Sequence, residues 1–318
     1  CYGASAATAA SPAAAPAAAA ANAAANATRA AAKQRQSIVE GADGVPLNVI
    51  EVGDAAKPAL VLIHGYGQSH HSFNAQLSDP LLTTQFHIVA YDLRGHGFSG
   101  KPWTRDAYVN SEKWAEDLQR VITATHLQKP VILGWSYGSL VVADYVRKYG
   151  TQSLAGIVLA GAYGGLMPPP PPPKQPPPAA MLAEMAHQRE LQLSGDMHDR
   201  MTGVQGFARM ITAKPMPAGW MADTTMMGML TATEARRYMF ERSMNNTDLV
   251  AGIDVPTLIV IGGKDPSTPE AQGRELAAML KHGQQSFYPQ SGHSAFAEFP
   301  ERFDKELAAF VQAAQVKR

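Results

Sequence analysis

Val131-Ile132-Leu133-Gly134-Trp135-Ser136-Tyr137-Gly138-Ser139-Leu140 runs from a short apolar stretch, through a serine with glycine two residues away on either side, into a helical pattern that continues to Tyr149 and stops at Gly150. A serine at a tight strand-to-helix turn is forced into strained backbone geometry, and the flanking glycines let strand and helix approach without a clash. The helix N-terminus also lowers the cost of negative charge beside the serine oxygen. A bare Gly-x-Ser-x-Gly could be an ordinary turn, but a strand before it and a helix after it make it a strong signal for a nucleophile.

A serine hydroxyl attacks poorly unless a base removes its proton. Of ten histidines the best placed is His293, in Gln290-Ser291-Gly292-His293-Ser294, between a strand-like piece at Ser286 to Tyr288 and the last helical pattern. A third group must orient that imidazole and stabilise its cation. Asp265 follows the apolar run Thr257 to Ile261 through Gly262-Gly263-Lys264. The turn His64-Gly65-Tyr66-Gly67 directly follows Ala59 to Ile63, and the backbone N–H groups of Tyr66 and Tyr137 are the expected oxyanion donors. Other candidates are weaker. His64, His70 and His71 match no metal-cage spacing, and His64 reads as structural. Asp92 reads as a cap on the glycine-rich segment 92–99, and Asp254 precedes its strand, at the wrong end of a sheet.

Working outward, strand-like runs at Ala59 to His64, His87 to Asp92, Val131 to Gly134, Gly156 to Ala160 and Thr257 to Ile261 alternate with helical patterns. That order predicts an α/β fold with a mostly parallel central sheet flanked by helices. Trp114, Leu118, Val121 and Ile122 recur at helical spacing after the N-cap candidates Asn110 and Ser111. Phe303, Leu307, Phe310 and Val311 form the apolar stripe of a last helix that Pro300 opens. The expected divisions are an Ala-rich, low-complexity tether at 1–36, a first core part at 37–162, a cap insertion at 163–248 and a second core part at 249–318. The insertion opens with Pro168 to Pro173 and Pro176 to Pro178, and it holds 13 of the 14 methionines, from Met167 to Met244. Methionine suits a lid that moulds itself to apolar substrates, and equally a loosely packed cap core.

Lys plus Arg equals Asp plus Glu at 27 each, and no basic stripe is interleaved with aromatics, so nucleic acid is not an expected partner. No apolar run approaches the roughly 20 residues of a bilayer span. The only cysteine is Cys1, which excludes an internal disulfide. Cys1 followed by the Ala-rich stretch resembles the start of a mature bacterial lipoprotein, which implies a membrane anchor at the cell envelope through lipidated Cys1; otherwise the expected location is cytoplasmic.

From about Ser37 to Val311 the chain resembles the α/β-hydrolase superfamily. The segments Ile63 to Gly67, Tyr91 to Ser99, Gly134 to Gly138, Gly262 to Asp265 and Gly292-His293 look like its landmark motifs in order. The stretch around Gly134 to Ala162 is most similar to single-domain esterases and the cofactor-free haloperoxidase or perhydrolase group. The resemblance implies an α/β-hydrolase fold with Ser136, Asp265 and His293 as a triad. Dehalogenases and epoxide hydrolases of the superfamily use Asp where Ser136 stands, which argues against both activities. The expected reaction is acyl transfer from a small ester with an apolar portion to water, with no cofactor. Perhydrolysis in the same site is the first alternative, and a tethered binding module that has lost turnover is the second.

Overall fold

The computed structural model describes residues 34–169 and 179–316. Cys1, the Ala-rich segment up to residue 33 and most of the proline run lie outside the described residues. Eight strands form one sheet: β1 (Arg35–Glu40), β2 (Pro46–Val52), β3 (Ala59–Ile63), β4 (His87–Tyr91), β5 (Val131–Trp135), β6 (Gly156–Ala160), β7 (Thr257–Gly262) and β8 (Gly283–Tyr288), in the order β1-β2-β4-β3-β5-β6-β7-β8. The pairs β1–β2 and β2–β4 are antiparallel and every other pair is parallel. Every residue of β3 to β7 is buried, which is why these strands read as continuous apolar runs.

Two apolar layers sandwich the sheet. Val61, Ile63, Ile132, Leu159 and Ile261 point to one face, against Trp114, Leu118 and Val121 of α1 (Ser111–Ala124) and Val141, Val142 and Tyr145 of α2 (Tyr137–Tyr149). Leu60, Leu62, Leu133, Val158 and Val260 point to the other, against the Phe303, Leu307, Phe310 and Val311 stripe of the helix Pro300–Val316. Asn110 caps α1 by accepting from the Glu112 N–H, as its position implied. Among the described residues four α-helices lie between β6 and β7: α3 (Ala179–Leu193), α4 (Met197–Met210), α5 (Ala218–Met229) and α6 (Thr233–Tyr238). They form the helical insertion.

One strand had no sequence signal. β1 begins at Arg35, two residues before the expected start of the core at Ser37, and all but Val39 of its six residues are exposed. An edge strand of this kind takes its place from backbone pairing with β2, so it shows no apolar alternation.

After β4 the chain is held to α1 by a buried ion pair. Arg94 is fully buried, and its Nε and Nη2 each donate to Asp117 at 2.7 Å. Asp117 also accepts from the Ala42 N–H at 2.8 Å, so it ties the β1–β2 connection to the same point. Removing one member of such a pair leaves a buried charge without its partner, a loss of about 3–5 kcal/mol. Asp117→Ala should therefore lower the urea unfolding free energy by about that amount, while Glu116→Ala, on the exposed side of α1, should change it by well under about 1 kcal/mol.

Candidate active site

Ser136 sits where β5 ends and α2 begins, with φ 54° and ψ −119°, one of four non-glycine residues at positive φ among those described. The strained turn is held on both sides. The Ser136 N–H donates to the Ala160 carbonyl of β6 at 2.9 Å, and the Ser139 N–H and hydroxyl both donate to the Ser136 carbonyl. Space explains the two glycines that matter most here. A Cβ on Gly138 would lie 2.3 Å from the Ile63 carbonyl oxygen, and one on Gly65 would lie 2.8 Å from the Ser136 Cβ. The turn after β3 thus runs directly alongside the serine.

The other expected residues come from the neighbouring strand ends. Asp265 follows β7 and His293 follows β8, and their side chains meet with His293 Nδ1 2.7 Å from Asp265 Oδ2. Nδ1 therefore carries the proton, and Nε2 is the free ring nitrogen. Ser136 and His293 line one cavity of about 460 Å³ together with Tyr137, Leu140, Met167, Phe240 and Met244. Among the described residues no Asp, Glu, Lys or Arg lines it.

Several supporting groups carried no readable motif. The Asp265 carboxylate accepts from the Ser267 N–H and hydroxyl through Oδ1 and from the Thr268 hydroxyl through Oδ2. Burial pushes Asp265 up, but its bond to His293, the charge on that ring and the Ser267 donors outweigh it, holding the carboxyl below its usual range. Trp135 Nε1 donates to the His293 carbonyl at 3.0 Å, so the residue before the serine also holds the histidine loop. Tyr66 and Tyr137 both reach the insertion through their hydroxyls, which donate to Gln192 Oε1 and the Met239 carbonyl, so neither hydroxyl is directed to the cavity.

The residues set aside as structural have structural partners. Asp92 is fully buried and accepts from Asn48 Nδ2, the Phe98 N–H, the His70 N–H and His70 Nδ1. Burial opposes its ionisation, but the His70 hydrogen bond and charge hold it well below the carboxylate range. Asp254, before β7, pairs with Lys281 at the surface. His64 donates from Nδ1 to the Gly65 carbonyl at 2.7 Å and accepts at Nε2 from the Leu93 N–H at 2.9 Å, fixing the turn after β3 to the end of β4.

A mostly parallel sheet that gathers a strained serine, an aspartate and a histidine at one edge, in that order both across the sheet and along the chain, defines a hydrolase of the α/β type. The chain belongs to the alpha/beta hydrolase family, whose model matches residues 60–306. It is 29% identical over 275 residues to the bifunctional esterase/perhydrolase DCH of Acinetobacter calcoaceticus, covering 85% of this chain and 98% of that one. Among solved structures it is similar to a Burkholderia cenocepacia protein assigned as an aryl esterase, with a TM-score of 0.79 and 28% identity over 89% of this chain and all of that one. The esterase RhEst1 from Rhodococcus sp. ECU1013 has a TM-score of 0.74 and 26% identity, over 88% of this chain and 99% of that one.

His64 makes the site's foundation sensitive to acid. Burial is the main cause that pushes it from 6.5 down to about 4, with the His70 charge adding to it and Asp92 opposing. Between those two values the unfolded chain binds a proton that the folded chain does not, so stability falls as pH drops through that window, by about 3 kcal/mol in all. In urea titrations from pH 7 to pH 4, His64→Asn should start less stable than the wild type but lose less stability on acidification. Parallel curves for the two proteins would exclude this role for His64.

Proposed function

We propose that the chain hydrolyses carboxylic esters through an acyl-enzyme on Ser136. The observation that carries this reading is the shared cavity: a serine at φ 54° and a histidine whose Nδ1 is committed to Asp265 open into one space. In the proposed reaction His293 Nε2 removes the Ser136 hydroxyl proton as Oγ attacks the ester carbonyl. The imidazolium that forms is stabilised by Asp265. The backbone N–H groups of Tyr66 and Tyr137 donate to the oxyanion, each worth about 3–4 kcal/mol to the transition state. His293 then gives its proton to the leaving alcohol, and water, activated by the same base, cleaves the acyl-enzyme.

The cavity favours an uncharged group on the substrate. Leu140, Tyr163, Met167, Phe240 and Met244 offer it apolar surface, and a carboxylate placed among them would lose its hydration without meeting a cation among the described lining residues. Neutral esters should accordingly outrun otherwise matched esters that carry a free carboxylate beside the scissile group.

Perhydrolysis is the second reading, supported by the relative from Acinetobacter calcoaceticus that is named for both activities. It needs only hydrogen peroxide in place of water at the deacylation step, which yields a peracid from the same intermediate. Peracid formation measured against acid release, with acetate ester and peroxide both supplied, gives the ratio of the two acceptors directly.

A fluorophosphonate probe should label the wild type at Ser136, and Ser136→Ala should take up none. A folded wild type that stays unlabelled would put the binding-module reading first. Asp265→Asn should lower kcat by about 10⁴-fold with little change in fold, because the amide presents the wrong partner to Nδ1–H.

A further inference from the structure

Directly after His293 the chain forms a short helix, Ala295–Glu298, which ends on a carboxylate that is 3% exposed. A buried carboxylate must recover through hydrogen bonds what it loses from water. The donors to Glu298 come from two places far apart in the chain. Oε1 accepts from the Gly292 N–H at 2.7 Å and from the Ser291 hydroxyl at 2.9 Å. Oε2 accepts from the Ala213 N–H at 2.9 Å. The first two donors are the residues immediately before His293, and Ala213 belongs to the connection between α4 and α5 of the insertion.

That connection touches the same place in three further ways. Lys214 Nζ donates to the Glu298 carbonyl at 2.6 Å, and the same ammonium lies 4.5 Å from the centre of the Phe299 ring. At Gly292 the two segments come so close that a Cβ would stand 2.6 Å from the Ala213 nitrogen. The bond from His293 Nδ1 to Asp265 fixes how the ring is turned, but where the ring stands depends on the backbone that carries it. Lys264 N–H and Trp135 Nε1 hold that backbone through the carbonyls of Ser291 and His293. On its N–H side the Tyr288 carbonyl receives Ser291 and Glu298 receives Gly292, the residue next to the histidine.

We propose that Glu298 is a positioning residue for His293, and that through it the α4–α5 connection of the insertion sets the distance between the base and Ser136. The inference rests on His293 being the general base of the proposed reaction. Glu298 touches no substrate atom in this role. Its carboxylate is needed because three donors from two segments converge on two oxygens. A glutamine keeps the volume but turns one of those acceptors into an NH₂ group, so it can serve the histidine loop or the insertion and not both.

The test compares wild type, Glu298→Gln and Lys214→Met on a neutral p-nitrophenyl ester, with fluorophosphonate labelling rates and thermal melts taken on the same preparations. Small displacements of a reacting group cost up to about 100-fold in rate. Glu298→Gln should therefore lower kcat by about 10- to 100-fold with KM unchanged, and should slow labelling by the same factor, because both reactions need the base in place. Lys214→Met, which loosens the connection and leaves the carboxylate intact, should move kcat in the same direction by less. A folded Glu298→Gln protein with wild-type kcat overturns the proposal, as does an activity that falls only in step with the folded fraction. If Glu298→Gln fails to fold, wild-type kcat in Lys214→Met overturns it instead. A wild type that neither turns over nor labels defeats the hydrolase reading itself, whereas a labelled wild type beside an unaffected Glu298→Gln defeats this inference alone.

Discussion

The structure depends on one crowded turn, the step from β5 to α2 at Ser136. A non-glycine residue held at φ 54°, ψ −119° costs about 1–3 kcal/mol and persists only when its surroundings leave it no alternative. Here the surroundings are the two neighbouring strands. β6 accepts the Ser136 N–H through Ala160, and the end of β3 presses against Gly138 so closely that no side chain fits between. The sheet core supplies the energy that keeps the turn strained, because relaxing it would pull β5 or α2 away from buried partners on both faces. The strain places Oγ at the N-terminus of α2 and beside the turn after β3, the placement that the proposed attack on an ester carbonyl requires.

The parallel run of the sheet converts this single turn into a site. From β3 through β5, β6 and β7 to β8 each neighbour is parallel, so all five strands end at the same edge. Their exits deliver in spatial order Tyr66, Ser136, Gly161, Asp265 and His293, residues spread over more than two hundred positions of sequence. Each polar arrival brings its own satisfaction with it. Asp265 takes three donors from Ser267 and Thr268, and the histidine loop is held by Trp135 from one side and Glu298 from the other. Such supports leave few ways for the three side chains to drift independently, which is what positioning within a fraction of an ångström requires.

Much of this was legible in the sequence because the physical constraints there are local. A strand buried on both faces must be apolar throughout, so β3 to β7 announced themselves, and the strained turn demands glycine at fixed offsets from Ser136. Asp265 and His293 were readable for a related reason, since a strand end followed by a short glycine-containing loop leaves little doubt about where the next polar residue lies. β1 was not readable, because an exposed edge strand pays no penalty for polar residues. Glu298 was missed on different grounds. Its partners Gly292 and Ala213 meet it only after the insertion has folded back over the histidine loop, and no periodicity in the chain marks a carboxylate whose role is to collect distant N–H groups.

The insertion shows where composition stops being informative. Its methionines are compatible both with a lid that faces the substrate and with a loosely packed core, and nine of the thirteen fall into three settings. Met167 and Met244, near its two ends, line the Ser136 cavity together with Phe240. Met227 and Met239 are buried, whereas Met197, Met201, Met221, Met226 and Met229 line a separate groove of about 770 Å³ between α4 and α5. Among the described residues the insertion's share of the wall next to the nucleophile therefore comes from the segments that leave β6 and return toward β7. Among the described residues helices α4 and α5 do not line that cavity, but Phe207 of α4 stands edge-on to the Tyr66 ring, 5.6 Å between centres, and the connection between the two helices meets the histidine loop at Glu298 and Gly292. With Glu298 in its proposed role, base position falls to the short connection between α4 and α5, while the wall a substrate would meet belongs to the two ends of the insertion.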